Sequence, residues 1–261
     1  MSIIDFHAHI YPSKISERAV QSIGEFYHIP MDGGGTAEIL LDETKGLGIS
    51  NYVVHSVAVT PAHVPVINEF ISAECRKHPE FVGFGTIHAG CERPLEEIEQ
   101  MQKLGLRGIK IHPDTQQFCM DDERMFPVYD AAQEKGLPIL IHCGDYRYDY
   151  SHPRRLTRIL DLFPHLTVIA AHFGGWSVFD LAVEYLKDRQ CFLDTSSSIP
   201  MIGHQRAAEL IYLYGVERIV YGTDFPMWNP RAELESFFEI PLGDDEREKI
   251  LYGNAAKILN L

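Results

Sequence analysis

Two histidines, His7 and His9, stand two residues apart at the end of the apolar run IIDFHAHI, which also contains Asp5. Because successive side chains of a β-strand point to opposite faces, a strand here predicts that Asp5, His7 and His9 share one face. Two imidazoles side by side either share a ligand or repel each other when both are protonated. Which of these applies depends on the side chains that the rest of the chain brings to the same place.

Side chains of the same kind end several later apolar runs. His142 follows LPILI, His172 follows LTVIAA, and Asp224 closes RIVYGTD. A single histidine at a strand end is more often a hydrogen-bonded core or surface residue than a ligand, so the prediction depends on the joint pattern. Imidazole nitrogens together with a carboxylate suit Zn²⁺ and also Mn²⁺, Fe²⁺ or Co²⁺. If these side chains meet, the sequence predicts a divalent-metal site.

Eight apolar runs predict eight strands. Most are nearly continuous apolar runs, which is typical of parallel strands buried on both faces. Helical patterns lie between them, and Ser177 is the predicted N-cap of one helix. The predicted strands are 2–10, 51–59, 81–88, 106–113, 137–144, 166–174, 191–197 and 218–226, and the predicted helices are 93–105, 125–138, 151–164, 177–188, 204–215 and 244–259.

This alternation predicts an α/β protein, a (β/α)8 TIM barrel that forms a single domain over residues 1–261. A doubly wound open sheet would need a glycine-rich phosphate loop after its first strand, where this chain has HAHIYPS. In a barrel the C-terminal strand ends converge, which would bring the histidines and Asp224 together. Segment 11–50, with its run of three glycines, is either a lid over this end or an ordinary surface insertion.

The amino-acid composition limits the kinds of molecule that this protein is expected to bind. A formal net charge of -14 disfavours nucleic acid, which would require a basic face. No apolar stretch is long enough to span a bilayer, and we expect no signal peptide at the N-terminus. The five cysteines are scattered without a CxxC pair, which favours a reducing cytoplasm. The remaining expectation is a cytoplasmic protein with a small-molecule substrate.

Motifs along essentially the whole chain resemble those of one enzyme superfamily. DFHAH, GIKIHP, IHCG, AHFGG, YGTDFP and YGNAAKIL occur in this order. They are similar to motifs of the amidohydrolase superfamily, in its aminocarboxymuconate semialdehyde decarboxylase-like branch. The resemblance implies one divalent metal ion, with Zn²⁺ favoured over Mn²⁺ and Fe²⁺, bound by His7, His9, His142 and Asp224. It also implies two catalytic residues: His172 as acid, base or oxyanion stabiliser, and Asp224 as a ligand that also accepts a proton.

Lys110 has two open roles. Some superfamily members carbamylate a lysine of the fourth strand to bridge two metals, whereas in the decarboxylase-like branch this lysine is not a bridge. We expect a single metal ion, with Lys110 as a charge partner inside the barrel, for example of Asp5.

Four residues are candidates for substrate binding. The guanidinium of Arg147 has the fork geometry that binds a carboxylate, although a solvated loop arginine is the alternative. His112 either faces the substrate or belongs to a turn. Trp176 and Trp228 each follow a site strand and are predicted to wall the pocket.

Three other residues are not predicted to be ligands or catalytic residues. His88, at the end of the third strand, could reach the pocket. His55 is interpreted as a mid-strand interior histidine with satisfied hydrogen bonds. Cys143 is interpreted as a small core residue, because no general base lies at a recognisable spacing.

The predicted function is a metal-dependent hydrolase or non-oxidative decarboxylase (a carboxy-lyase) that acts on a small, carboxylated substrate. One alternative is a TatD-type deoxyribonuclease, which has a metal-bridging glutamate at the end of strand three, where this chain has FVGFGTIH. The other is a barrel that binds metal but is catalytically silent. Relatives are often dimers, so a homodimer is one expectation, although no sequence feature establishes it.

Overall fold

The central sheet is a ring of eight parallel strands. The computed structural model describes residues 2–31 and 33–261. The strands follow one another around the ring in chain order, which confirms the predicted (β/α)8 barrel. They are β1 (Ile3–His9), β2 (Ile49–His55), β3 (Phe81–Thr86), β4 (Gly108–Ile111), β5 (Ile139–Ile141), β6 (Val168–Ala170), β7 (Phe192–Asp194) and β8 (Ile219–Val220).

Backbone hydrogen bonds between β1 and the residues that follow β8 close the ring. The amide of Phe6 donates to the carbonyl of Tyr221 at 2.8 Å, and the amide of Asp224 donates to the carbonyl of His7 at 2.8 Å. The amide of His9 donates to the carbonyl of Phe225 at 2.7 Å. The closure therefore places Asp224 directly beside the two histidines of β1.

Helices surround the ring. Among the described residues, no helix is both long and apolar enough to cross a membrane. The helices are α1 (Ser16–Tyr27), α2 (Ala37–Glu43), α3 (Val64–Lys77), α4 (Pro94–Lys103), α5 (Pro113–Gln116), α6 (Phe126–Lys135), α7 (Pro153–Leu162), α8 (Phe179–Leu186), α9 (Ile199–Tyr214), α10 (Pro230–Phe238), α11 (Asp244–Glu248) and α12 (Asn254–Leu259), with a π-helical turn at Lys249–Gly253.

The predicted cap of α8 was wrong. Ser177 has a positive φ of 64°, and its hydroxyl accepts a hydrogen bond from the amide of Tyr146 at 3.1 Å. The N-cap position is occupied by Val178, whose side chain has no oxygen to accept a backbone hydrogen bond. Ser177 thus fastens the loop after β5 instead of starting a helix.

An irregularity in β1 changes which side chains face the barrel interior. Between Asp5 and Ala8 the strand advances three residues while its partner β2 advances two, from Tyr52 to Val54. One extra residue of this kind forms a β-bulge, which shifts the alternation of faces. Phe6 therefore packs inside the barrel with Phe84, and beyond the bulge the inward positions are those of His7 and His9.

The prediction that Asp5 shares a face with His7 and His9 was consequently wrong. Asp5 is fully buried, and its carboxylate accepts hydrogen bonds from the amide and the hydroxyl of Thr223, at 3.0 and 2.6 Å. It also accepts one from the amide of His7 at 3.1 Å. Asp5 thus ties β1 to the segment after β8, and it stabilises the closure instead of lining the site.

The lower half of the barrel interior is filled with apolar side chains. Strand residues such as Ile4, Phe6, Phe84 and Leu140 pack there against Leu259 of α12, which covers this end. A larger apolar cluster lies between the sheet and the outer helices. Because the bottom is closed by this packing, the cavity opens only toward the carboxyl ends of the strands, as in other barrels of this architecture.

Replacement of Glu233 by Gln should stabilise the protein at alkaline pH. Glu233 lies buried on α10, and burial, together with the charges of Asp224 and Asp5, raises its pKa to about 8. At a pH between the pKa of Glu233 in the unfolded chain and about 8, the carboxyl of Glu233 has lost its proton in the unfolded chain but keeps it in the folded chain. The folded state therefore loses stability as the pH rises toward 8. The gain in melting temperature of Glu233→Gln over the wild type should grow from pH 5 to pH 8, as measured by circular dichroism.

Glu235→Gln is the matched control, because Glu235 lies exposed on the same helix. A Glu233→Gln variant whose melting temperature follows that of Glu235→Gln at every pH would contradict this prediction.

Candidate functional site

The cavity at the carboxyl ends of the strands has a volume of about 560 Å³. Its wall on the solvent side is largely apolar and comes from α1, α3 and the loop after β2, through residues such as Ile23, Phe26, Val59, Ile67 and Phe70. Titratable side chains at and just after the strand ends form its floor, and they are His7, His9, Lys110, His112, Asp114, His142, His172 and Asp224; Tyr11, Tyr27 and His63 also line the cavity. A polar floor beneath apolar walls is the usual form of a small-molecule site.

Three predicted ligands meet on this floor. The Nε2 atoms of His7 and His9 lie 3.3 Å apart. One carboxylate oxygen of Asp224, Oδ1, lies 3.2 Å from Nε2 of His7 and 3.5 Å from Nε2 of His9. The structure therefore brings the lone pairs of two imidazoles and one carboxylate to a common point.

A carboxylate that the sequence reasoning missed fixes the tautomer of His7. Nδ1–H of His7 donates to Oδ2 of Asp194 at 2.8 Å, so Nε2 is left as an acceptor. The other oxygen of Asp194 accepts from the backbone amides of His172 and Ser196. Although burial alone would raise the pKa of Asp194, the charges and hydrogen bonds of these neighbours hold it at about 2. Asp194 is therefore ionised at neutral pH, and it anchors two site histidines.

The remaining predicted ligand, His142, lies beside His172. Nε2–H of His142 donates to the carbonyl of Gly144 at 2.9 Å, so its Nδ1 is unprotonated, and it lies 3.0 Å from Nε2 of His172. His172 in turn has Nδ1 3.0 Å from the carbonyl of Ser196, which requires a proton on Nδ1. Two acceptor nitrogens thus face each other at a distance where a cation would stabilise both.

His172 connects this pair to the first group, because its ring centre lies 5.2 Å from that of His7. The structure therefore places His7, His9 and Asp224 in one cluster and His142 one histidine away from it. Ligation by His142 stays a prediction.

Asp224 is held by a serine and a tryptophan. The hydroxyl of Ser197 donates to Oδ2 of Asp224 and accepts from Nε1–H of Trp228 at 2.7 Å. Trp228 does not line the cavity as predicted; it acts on Asp224 through Ser197. Burial would raise the pKa of Asp224, but the neighbouring histidines hold it well below its usual range. The site therefore contains an ionised carboxylate with one oxygen fixed and the other facing His7 and His9.

Lys110 faces the cluster from β4. Its Nζ lies 2.9 Å from Nε2 of His7, while Asp5 bonds to Thr223 on the other side of the bulge, so the predicted Lys110–Asp5 pair was wrong. Burial lowers the pKa of Lys110 to about 8, although the charges of Asp224 and Asp194 oppose this shift. The ammonium group occupies the space that neighbours the donor atoms of the cluster.

These donor atoms fit a divalent metal ion. A metal with bonds of about 2.1 Å to nitrogen and oxygen separates neighbouring ligand atoms by roughly 3.0 to 3.4 Å. The three distances in the cluster of His7, His9 and Asp224 are close to these values. The anchored second nitrogen of His7 is also typical of metal-binding histidines, which usually donate that N–H to a carboxylate or carbonyl. The cluster is therefore a candidate metal site.

His112 is both a turn residue and a cavity residue. It caps α5, where its Nδ1 lies 3.5 Å from the amide of Thr115. Its ring stacks on that of His142 with centres 3.8 Å apart, and the hydroxyl of Tyr27 lies 2.7 Å from its Nε2. Tyr27 belongs to α1, so segment 11–50 reaches the floor of the site. Its role as a lid stays a prediction.

Arg147 and Trp176 are placed differently from the prediction. The guanidinium of Arg147 donates to both oxygens of Asp145, at 2.9 and 2.6 Å, and to the carbonyl of Phe26 at 2.5 Å. It therefore fastens α1 to the loop after β5, and neither Arg147 nor Trp176 lines the cavity. Trp176 instead packs edge-on against Tyr27, with ring centres 4.9 Å apart.

Two further histidines also differ from the prediction. His55 is not mid-strand but ends β2, and neither of its buried nitrogens has a hydrogen-bond partner among the described residues. His88 does not line the cavity, and its ring nitrogens contact the carbonyl of Gln116 and the amide of Gly90. Cys143 is fully buried, as predicted for a core residue.

The sequence did contain a signal for the missed Asp194. It ends the run CFLD at the position where the other site strands end in histidine or aspartate. Ser196 and Ser197 had no comparable signal, because their roles depend on which acceptor each hydroxyl reaches.

The chain matches known proteins along nearly its whole length. The family model described as "Amidohydrolase" matches residues 4–261. The 2-amino-3-carboxymuconate-6-semialdehyde decarboxylase of Dictyostelium discoideum is 25% identical over 239 residues, which cover 75% of this chain and 66% of that protein. The matched part therefore spans slightly less than two thirds of that relative's own length. The resemblance inferred from the motifs is confirmed.

Solved structures share the fold. An uncharacterised TIM-barrel protein from Bordetella bronchiseptica has a TM-score of 0.80 at 22% identity, with 100% of this chain and 99% of that chain covered. A dihydroxybenzoic acid decarboxylase from Polaromonas, solved with manganese and the inhibitor 2-nitroresorcinol, has a TM-score of 0.75 at 18% identity, with 100% and 97% covered. The TatD-type nuclease alternative finds no support in these comparisons.

Replacement of Ser197 by Ala should weaken metal binding. The variant removes the hydroxyl that fixes Asp224, so the carboxylate gains freedom to rotate away from His7 and His9. Loss of such a supporting hydrogen bond typically lowers metal affinity about ten- to hundredfold. Competition with a chromophoric chelator for Zn²⁺ measures this affinity.

Ser72→Ala is the matched control, because Ser72 is a buried serine whose hydroxyl bonds to the carbonyl of Leu104, away from the site. Equal Zn²⁺ affinity in the two variants would contradict a supporting role for Ser197.

Proposed function

The chain belongs to the amidohydrolase family, and from this premise we propose that it is a metal-dependent, non-oxidative decarboxylase of a small aromatic acid. The observation that carries the proposal is the cluster of His7, His9 and Asp224 on the floor of an apolar-walled cavity. The curated relative that matches 75% of the chain is a decarboxylase of a carboxylated substrate, which favours this reaction over hydrolysis.

We propose that His7, His9, His142 and Asp224 hold one metal ion. Zn²⁺ and Mn²⁺ both suit this donor set, and the similar structure from Polaromonas contains manganese. When bound, the metal supplies a Lewis acid that stabilises negative charge on substrate oxygens. Lys110 neighbours this position from β4, and its positive charge would attract the carboxylate of a bound substrate.

Decarboxylation breaks the bond between the substrate carbon and its carboxylate, and the electron pair stays on the carbon. One proton must then be delivered to that carbon, so that the acid anion and a proton yield CO₂ and the C–H product. Asp224 and His172 line the cavity and are the two candidates to carry this proton. Because the pKa of Asp224 is held well below its usual range, this carboxylate is ionised and must first accept a proton before it can deliver one.

The walls indicate a substrate with a single carboxylate. Lys110 is the only lysine or arginine among the described residues that line the cavity, and it lies on the floor. Arg147, which could have bound a second carboxylate, is occupied by Asp145 and the carbonyl of Phe26. A second carboxylate would therefore have no lysine or arginine as a partner and would depend on neutral groups such as Ser22, Thr115 and Gln117, which makes its burial more costly. Aromatic walls such as Phe26 and Phe70 favour a planar, apolar body.

A substrate panel that separates released CO₂ from released acid tests this function. The panel contains monocarboxylated hydroxybenzoates, dicarboxylated aromatic and muconate-type acids, and lactones, each with Zn²⁺- or Mn²⁺-loaded protein. We expect CO₂ from the monocarboxylates, with kcat/KM about tenfold or more above that of the dicarboxylates, which corresponds to roughly 1.4 kcal/mol of lost stabilisation. Acid release from a lactone without any CO₂ would contradict the proposal.

Two variants control this assay. Asp224→Asn should lose CO₂ release, because the amide is a poorer ligand and does not accept a proton at neutral pH. Asp188→Asn should keep it, since Asp188 is 87% exposed on the outer surface.

A further inference from the structure

Three buried nitrogens beside the proposed metal ligands have no hydrogen-bond partner among the described residues. They are Nδ1 of His9 and both ring nitrogens of His55. His55 has an exposed fraction of 0%, and His9 is also largely buried. A buried polar group without a partner costs about 1–3 kcal/mol, so three in one place call for an explanation.

The other site histidines do not share this feature. His7 has Nδ1 on Asp194, His142 has Nε2 on the carbonyl of Gly144, and His172 has Nδ1 on Ser196. In each case one nitrogen is anchored and the other faces the centre of the site. Metal-binding histidines usually need such an anchor, because it fixes the tautomer and the orientation of the ring. Only His9 among the proposed ligands lacks it in the described part of the chain.

His55 lies where this anchor would be. It is paired in register with His9 on the neighbouring strand, so both side chains point into the barrel. The ring centres lie 4.4 Å apart with the ring planes at 88°, so the edge of one ring meets the other. The nitrogens of His55 do not bond to Nδ1 of His9 in this arrangement, so the hydrogen bond proposed below requires one of the two rings to turn.

We propose that His55 is a positioning residue for His9. Its ring accepts a hydrogen bond from Nδ1–H of His9 and so holds Nε2 of His9 toward Nε2 of His7 and the carboxylate of Asp224. His55 thereby has the role for His9 that Asp194 has for His7. This inference rests on the proposed metal centre, but it concerns metal affinity and not the identity of the substrate.

A purely structural histidine does not account for this position. The preceding residues of β2, Val53 and Val54, are fully buried and apolar, so an aliphatic side chain would fill the strand end without unpaired nitrogens. His55 also lies outside the lining of the cavity, which argues against direct substrate contact. Its nearest polar group on the ligand side is the ring of His9.

Zn²⁺ affinity in three variants of His55 tests the proposal. His55→Leu removes the acceptor, so Zn²⁺ affinity should fall about ten- to hundredfold by chelator competition. His55→Asn and His55→Gln each place an amide oxygen near one of the two original nitrogens, and one of them should recover most of the affinity. The absorption spectrum of the Co²⁺-loaded protein should keep its band positions and intensity in the variants, because the coordination number does not change.

His88→Leu is the matched control, since His88 is a histidine just beyond β3 that does not line the cavity and contacts the carbonyl of Gln116, and the Zn²⁺ affinity of this variant should equal that of the wild type. Wild-type affinity in His55→Leu, or equal losses in the Leu, Asn and Gln variants, would overturn the proposal. A Co²⁺ spectrum that reports a lost ligand would also overturn it, because His55 would then bind the metal directly. If the Leu variant does not fold, the Zn²⁺ affinities of the Asn and Gln variants are compared with that of the wild type. A loss in one of them and near-wild-type affinity in the other supports the proposal, and equal affinities overturn it.

Failure of the wild type to bind Zn²⁺ would overturn the proposed metal centre, and with it this inference. If the wild type binds Zn²⁺ but releases no CO₂ from any substrate of the panel, the proposed function is contradicted, whereas the proposed role of His55 is not affected.

Discussion

The hydrogen bond between Nδ1 of His7 and Asp194 determines what the centre of this barrel can bind. At 2.8 Å, with the carboxylate ionised, it places the proton of His7 on Nδ1 and leaves a lone pair on Nε2. That lone pair faces those of His9 and Asp224 within 3.3 Å. Three electron-rich atoms so close together in a buried place repel one another unless positive charge lies beside them. The ammonium of Lys110 contacts one of them, Nε2 of His7, and a metal ion bound to all three would remove the repulsion that remains. Everything proposed for the site follows from this constraint.

The barrel supplies the geometry that this constraint requires. His7 and Asp194 lie on β1 and β7, with β8 between them, so only a closed ring brings them together. The bulge in β1 turns Phe6 into the apolar cluster below the cavity and turns His7 and His9 toward the floor of the cavity. Asp5, displaced from that face, bonds to Thr223 and holds the turn that carries Asp224. Fold closure and ligand placement therefore depend on the same few hydrogen bonds.

The sequence predicted the architecture and part of the site. Periodic apolar runs and their polar ends were sufficient for eight strands and for the meeting of His7, His9 and Asp224. Helices α3, α5 and α10 and the helices of segment 11–50 were not predicted. The face of Asp5 was predicted wrongly because a bulge leaves no reliable mark on the alternation of residue types.

The sequence was least informative about long polar side chains in loops. Arg147 looked free to bind a substrate carboxylate, but its partner Asp145 lies two residues away and captures the guanidinium. Trp228 looked like a wall residue, yet its indole N–H reaches Ser197. Such choices among nearby acceptors depend on loop conformation, which residue types alone do not determine. The prediction of satisfied hydrogen bonds at His55 failed for a different reason: residue types place a strand residue inside the barrel but do not show whether a polar partner lies within reach.

A crystal of the protein soaked in Zn²⁺, with anomalous scattering measured at the zinc edge, would show whether His7, His9 and Asp224 bind one metal ion. We expect one strong peak per chain, at about 2.0 to 2.2 Å from Nε2 of His7, Nε2 of His9 and an oxygen of Asp224. Absence of a peak at this position would contradict it. Two peaks bridged by Lys110 would contradict the single-metal centre.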